Sequence, residues 1–338
     1  MKLKNFFSII FLCFLSVYGK DFGERLIHIE KKFAMDKLND SNYFFYNPSD
    51  MKIDSKGRVY IVDTLNSRIQ IFNNDGIYIR TIGRFGNGPG EFNRPEGIFI
   101  DEVEGKMYVC DTRNYRIQVY SLEGKLISIY KLKFAPLKII VRFPYMYVLA
   151  FPHQIMNMRG ESLIKIIDKS GKVKEGFLPF LKTENMYTNM LCNLLLMKLD
   201  KKNNIIIANQ FCLNRVLIFD KRNKLKRKFQ ILYKAAQWVG TGYDFSIKDE
   251  KDLNKIAFII ADFTFDKNNN IYFLSGNIKK RRDGLFEKGR EIYKYNLEGK
   301  YLGTIILPIS GRLICIDNKN NLFLIDREFI LRKYKILN

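Results

Sequence analysis

Part of this chain repeats itself, and that restricts the available folds more than any other property of the sequence. The stretch from Pro48 through Asp54-Ser-Lys-Gly57, Asp63-Thr-Leu-Asn66-Ser-Arg68 and Asn73-Asn-Asp-Gly76 returns as Pro95-Glu-Gly-Ile-Phe-Ile-Asp101, Asp111-Thr-Arg-Asn114-Tyr-Arg116 and on to Gly124. By subtraction, Asp54 to Asp101 is 47 residues and Arg68 to Arg116 is 48. Each copy holds four short runs that alternate apolar with polar, at 50–54, 58–62, 68–72 and 77–82 in the first. Alternation at a period of two is the mark of a half-buried strand. The segments 54–57 and 73–76 between the runs end in glycine, which accepts the positive φ of a tight turn. Four antiparallel strands per repeat make one blade of a β-propeller.

Weaker copies follow. The third covers 137–178, the fourth 191–232 and the fifth 258–307, each keeping hairpin aspartates or asparagines between apolar runs. A sixth, 311–337, ends after three strands. The spare alternating run 25–33 supplies a fourth, so the reading is an all-β, six-bladed propeller whose ring is closed by an N-terminal strand pairing with the last blade. Closure also removes an exposed sheet edge.

The first nineteen residues stand outside that ring. Lys2 and Lys4 precede an apolar run from Phe6 to Val17, too short to span a bilayer comfortably and suited to a signal-peptide core, with cleavage expected between Gly19 and Lys20. The expectation is a periplasmic or secreted chain, with an uncleaved membrane anchor as the alternative. The formal net charge is +22. Such an excess fits an anionic protein or envelope polymer and makes a membrane surface a further partner; a codon bias toward lysine is the competing explanation.

The motifs carry a family resemblance. Phe85-Gly-Asn-Gly88-Pro-Gly90-Glu-Phe92-Asn-Arg-Pro95-Glu-Gly97 resembles the linker and first strand of NHL-repeat propellers, and 63–68 and 111–116 resemble that family's second-to-third-strand turn. The likeness extends over the whole chain after residue 19, most fully in the first two blades. It implies a binding or scaffolding module acting through one face. Related six-bladed enzymes of the lactonase type hold calcium near the axis, which gives a hydrolase alternative. Some NHL propellers bind RNA through a basic face, a further alternative that an export signal disfavours.

In a propeller, the second-to-third-strand turns and the blade-to-blade linkers share a face. The long insertions 152–161, 276–290, 34–47, 83–95 and 232–259 all fall there, so the ligand or partner is expected on that face. Candidates on it are the basic residues Lys279, Lys280, Arg281, Arg282 and Arg290, the aromatics Trp238 and Tyr243, and Arg113 and Tyr115 of the blade-two turn. A dense basic loop attracts anions over about a Debye length. Asp50 and Asp262 occupy equivalent places in their blades, with Glu96 one position earlier in its own, so these three are the candidate calcium ligands at the axial mouth. Asp63, Asn66, Arg68, Asp111, Asn114, Arg116 and Arg215 recur and are expected to be structural, with the arginine forks stapling neighbouring blades.

Catalytic patterns are scarce. His28 and His153 are the only histidines, which excludes a multi-histidine zinc site, and no nucleophile-elbow or phosphate-loop pattern occurs. Cys192 and Cys212 are predicted to face each other on neighbouring strands and to form a disulfide in an oxidising compartment. The reading that results is an exported, monomeric binding module.

Overall fold

The computed structural model of the protein describes residues 29–34, 40–151, 162–181, 186–211, 214–231, 259–280 and 286–337; for 29–34, 186–188, 277–280 and 286–288 only the backbone is described. Six four-stranded antiparallel sheets follow one another along the chain. The innermost strands are Pro48–Ile53, Pro95–Asp101, Pro136–Arg142, Leu195–Leu199, Ile260–Phe265 and Gly311–Ile316. Each touches the next, and the last returns to the first, so the sheets form a closed ring around an axis. This is the six-bladed propeller that the repeat predicts.

Closure occurs as expected. Ile29–Ala34 pairs antiparallel with Leu331–Ile336 and becomes the outermost strand of the sixth blade. The first and last described strands thus share one sheet, and the ring cannot open without breaking that ladder.

The hairpins show how the sequence sets the blades. In blade four, the Asp200 carboxylate accepts the backbone N–H of Lys202 and of Asn204, at 2.8 and 2.7 Å. Between them Asn203 takes φ of 62°, the left-handed region that asparagine tolerates. Asp266 and Asp317 repeat the arrangement in blades five and six. An aspartate followed three residues later by glycine or asparagine is therefore the unit that ends every one of these strands.

The core lies between blades. The central strands are buried on both faces: Val59–Asp63, Ile205–Asn209 and Ile271–Ser275 have no residue open to solvent. The outermost strands are mostly wet, as Val173–Pro179 and Leu225–Phe229 show. A helix, Met186–Cys192, precedes blade four.

Cys192 closes that helix, three residues before its blade's first strand. The predicted pairing of Leu199 with Ile205 is present, yet the strand starts only at Leu195, so Cys192 does not sit on a neighbouring strand as the sequence reading had it. Asn209 donates to the Cys192 carbonyl at 2.9 Å and ties the helix end to the blade. Cys192 is disulfide-bonded; Cys212 lies outside the described residues.

Candidate functional site

The six innermost strands begin on the face that carries the blade-to-blade linkers, and there they enclose an axial cavity of about 310 Å³. Three strands start with proline, tolerated at a strand's first residue because its missing N–H is not needed there. The next residues turn their side chains alternately to the core and to the axis. Met51 is buried in the core, for example, while Asp50 lines the cavity.

Asp50 and Asp262 do the same structural job in blades one and five. One oxygen of Asp50 accepts the N–H of Met51 at 2.9 Å, and the other accepts the N–H of Ile98 in blade two at 3.3 Å. Asp262 accepts from Phe263 at 2.8 Å and from Ile314 in blade six at 3.0 Å. Each carboxylate thus sews its innermost strand to the following one.

Each is also matched by lysine. Lys52 Nζ is 2.8 Å and Lys138 Nζ 3.4 Å from Asp50, and Lys198 Nζ is 2.8 Å from Asp262. Burial works to raise the Asp50 carboxyl, but Lys138 and Lys52 outweigh it and hold the group well below the usual carboxylate range. Burial works against the Lys52 ammonium, and Asp50 and Asp262 together raise it nonetheless. Two of the three sequence-derived calcium ligands, Asp50 and Asp262, are therefore paired with ammonium groups, and no group of three metal-ligating side chains forms among the described residues.

Lys138 reaches Asp50 across blade two because nothing stands in its way. Gly97 occupies the corresponding place there, and a Cβ on it would lie 2.6 Å from the Leu137 carbonyl oxygen and 2.9 Å from the Lys138 Cα. The innermost strands of blades two and three come together over that bare backbone. The Lys138 ammonium then donates to the carbonyls of Ser49 and Glu96, both at 2.7 Å.

Blade six supplies the remaining charge. Arg312, one residue into its innermost strand, donates to the Pro48 carbonyl at 2.8 Å and to the side-chain oxygen of Asn47, both neutral acceptors. Its guanidinium lies 5.3 Å from the Phe329 ring centre, which steadies its plane. Arg327, in the turn after Asn321–Asp326, lines the same cavity. Burial and then the neighbouring Arg327 push the Arg312 pKa down, and burial does the same to Arg327. Burial meanwhile raises the Glu96 carboxyl against the pull of Lys138, Arg94 and Arg312. Among the described residues the mouth therefore gathers Lys52, Lys138, Lys198, Arg312 and Arg327 against Asp50, Asp262 and Glu96, an excess of positive charge.

The other predicted residues fall into two groups. Asp63 holds Arg68 at 2.9 Å and Asn66 at 2.8 Å; Asp111 holds Arg116 at 2.7 Å and Asn114 at 2.9 Å. The arginines bind the linkers entering their own blades: Arg68 the carbonyls of Ser41 and Phe44, Arg116 those of Asn87, Gly88 and Glu91. Blade-to-blade stitching comes instead from threonine, with Thr64 Oγ1 donating to Pro95 O and Thr112 Oγ1 to Pro136 O, both at 2.8 Å. Arg215 meets Asn209, which stands in for the aspartate, at 3.2 Å. Arg290 donates to Leu307 O and Pro308 O, so this exposed residue also holds a linker.

Arg113 and Tyr115 are exposed on the blade-two turn, away from the axis. Lys279 and Lys280 belong to a small hairpin, Asn277–Lys280 with Phe286–Lys288. Arg281, Arg282, Trp238 and Tyr243 lie outside the described residues. Sequence reasoning looked for acids at the axis and passed over Lys138, Lys198, Arg312 and Arg327. Repeat alignment carried the signal, because Lys138 stands where blade one has Asp50, and Arg312 where it has Ser49.

Residues 39–289 of the 338 match the family described as Domain of unknown function (DUF4934). The chain belongs to this family. A comparison with curated proteins finds no match for the DUF4934 chain. Among solved structures it resembles a Bacteroides fragilis protein described as a "putative exported protein", at TM-score 0.61 and 11% identity over 92% of this chain and 95% of that one. A DUF4221 family member from Bacteroides vulgatus gives 0.59 and 13% over 93% and 99%. Virginiamycin B lyase from Staphylococcus aureus, in a catalytically inactive form with quinupristin, gives 0.53 and 13% over 93% and 95%. At such identities these likenesses establish the propeller for the DUF4934 chain and leave its chemistry to its own residues. No helix among its described residues is long and apolar enough to cross a membrane.

Proposed function

We propose that this chain is an exported, NHL-like propeller that binds an anionic group of a protein or envelope polymer at the axial mouth of its long-loop face. The observation that carries the reading is the Arg312 and Arg327 pair. Both guanidiniums line the cavity and are disfavoured by burial, and an arriving carboxylate, sulfate or phosphate offsets that cost while accepting charge-assisted hydrogen bonds. Lys138 and Lys198 are committed to aspartates and act as the electrostatic floor of the site. The basic hairpin at Lys279 and Lys280 adds long-range attraction on the same face.

The test is titration calorimetry of the chain with a panel of anionic glycans and acidic peptides, repeated on Arg312→Gln and Arg327→Gln. A ligand whose affinity falls at least about tenfold in each variant supports the reading, since one charge-assisted bond contributes about 1.5–3 kcal/mol. Unchanged affinity removes the mouth from the site.

One observation favours an enzyme: the fold likeness to virginiamycin B lyase. That protein is inactive as a histidine-to-alanine form. His28 and His153 of this chain lie outside the described residues, so a lyase reading has no placed base to build on. Turnover lost on replacing His153, with axial variants unaffected, would move the enzyme reading ahead.

A further inference from the structure

We propose that the short-turn side of blades three and four, opposite the axial mouth, docks on an anionic lipid bilayer. The outermost strand of blade four, Leu225–Phe229, carries Lys226, Arg227 and Lys228, and the turn leading into it carries Lys221, Arg222 and Lys224. All six are exposed. Lys201 and Lys202, on the blade's other short turn, are exposed as well. Acids are few here: Asp220 uses its side chain to cap its own turn, accepting from the N–H of Arg222 and Lys224.

Exposed lysines on an edge strand have an ordinary use, which is to discourage edge-to-edge pairing. That use applies to every outer strand of the ring. Yet Tyr78–Ile82 carries one cation, Leu126–Lys131 one, Val173–Pro179 one beside a glutamate, Tyr301–Ile306 none, and Ile29–Ala34 two beside a glutamate. Edge protection therefore does not explain three cations in five residues on blade four.

Apolar side chains accompany the charge. Phe143, at the tip of the short turn of blade three, is 78% exposed, and Leu225 is 54% exposed. They belong to one surface: Arg142, beside Phe143, donates to the carbonyls of Asn203 and Asp220 and to the side chain of Asn223, the three turn residues flanking the basic cluster. A soluble polyanion would use the cations and leave a protruding phenylalanine and leucine in water. A bilayer uses both, because basic side chains sit at the headgroups while apolar tips enter the acyl boundary. The long-loop face then points away from the lipid.

The test is flotation of the chain from Lys20 onward, which keeps every strand of the ring, with vesicles of phosphatidylcholine alone or mixed with phosphatidylglycerol. Binding is expected to the anionic vesicles only and to weaken with salt. Combined replacement of Lys221, Arg222, Lys224 and Lys226 by glutamine should lower partitioning by roughly fivefold per charge. Phe143→Ser should lower it by about tenfold with the salt dependence unchanged. These sites are exposed, so melting temperatures should match the parent. Failure of the parent to float, or equal flotation of the charge variant, overturns the proposal. So does a Phe143→Ser variant that floats as well as the parent, which would assign the cluster to a soluble polyanion such as dextran sulfate.

Discussion

Replacing Lys138 with methionine tests the wiring of the axial mouth. Methionine keeps the unbranched stem, one heavy atom shorter, and removes the ammonium, which donates to Ser49 O and Glu96 O at 2.7 Å each and lies 3.4 Å from Asp50. With a side chain only 14% exposed, water replaces those donors poorly. Two carbonyls deprived of a charged donor, together with a buried carboxylate left with Lys52 as its lysine partner, should cost about 3 kcal/mol. The cost depends on pH in a defined direction. Asp50 is depressed in the folded state, so its stabilising contribution is complete above the unfolded carboxylate value near pH 4 and declines as pH falls toward its folded value. Lys138 is one source of that depression, so the gap between parent and variant should be widest at neutral pH and narrow in acid. Urea unfolding at pH 7 and pH 3 measures this, and Asp50→Asn completes a double-mutant cycle with an expected coupling of about 1 kcal/mol or more. A loss below about 1 kcal/mol, or additive effects in the cycle, would refute the linkage of blades one and three through Lys138.

Other consequences follow from the same geometry. Deleting 29–34 removes a whole strand pairing from the last blade and should lower Tm by roughly 5–10 °C, whereas deleting 277–288 should change it little; equal melting temperatures would defeat closure by the N-terminal strand. Asp200→Ala removes the acceptor for Lys202, Asn204 and, from blade five, Asn269, and should cost about 2–3 kcal/mol by urea unfolding. Thr112→Val loses one buried blade-to-blade bond and should cost about 1–2 kcal/mol. Cys110 is fully buried with its thiol pushed up by desolvation, so iodoacetamide should spare it until the chain unfolds.

Why the architecture was legible and the site was not can be read from particular residues. Blade geometry rests on local signals: the aspartate turns, the period-two runs and the Asp63-to-Arg68 spacing all act within one repeat, so even degenerate copies keep them. The closing strand was visible because 311–337 lacked a partner. The axial mouth arises differently. Lys138 contacts Ser49 and Asp50 across 89 and 88 positions of sequence and only because Gly97 is bare, a coincidence of three blades that no single repeat encodes. Asp50 and Asp262 looked like metal ligands because their lysine partners sit in other strands or two residues away on the same one. The helix ending in Cys192 was missed for a similar reason. Register counted back correctly from Leu199, but nothing local showed that the strand stops at Leu195.

The most direct test of the axial reading is the affinity of one anionic ligand for three chains, measured side by side: the parent, Arg312→Gln, and the blade-four variant with Lys221, Arg222, Lys224 and Lys226 replaced by glutamine. Binding at the mouth predicts a loss of about tenfold or more for Arg312→Gln and less than about twofold for the blade-four variant. The reverse order, with Arg312→Gln binding like the parent, would contradict it and assign the anion to the outer edge of the ring.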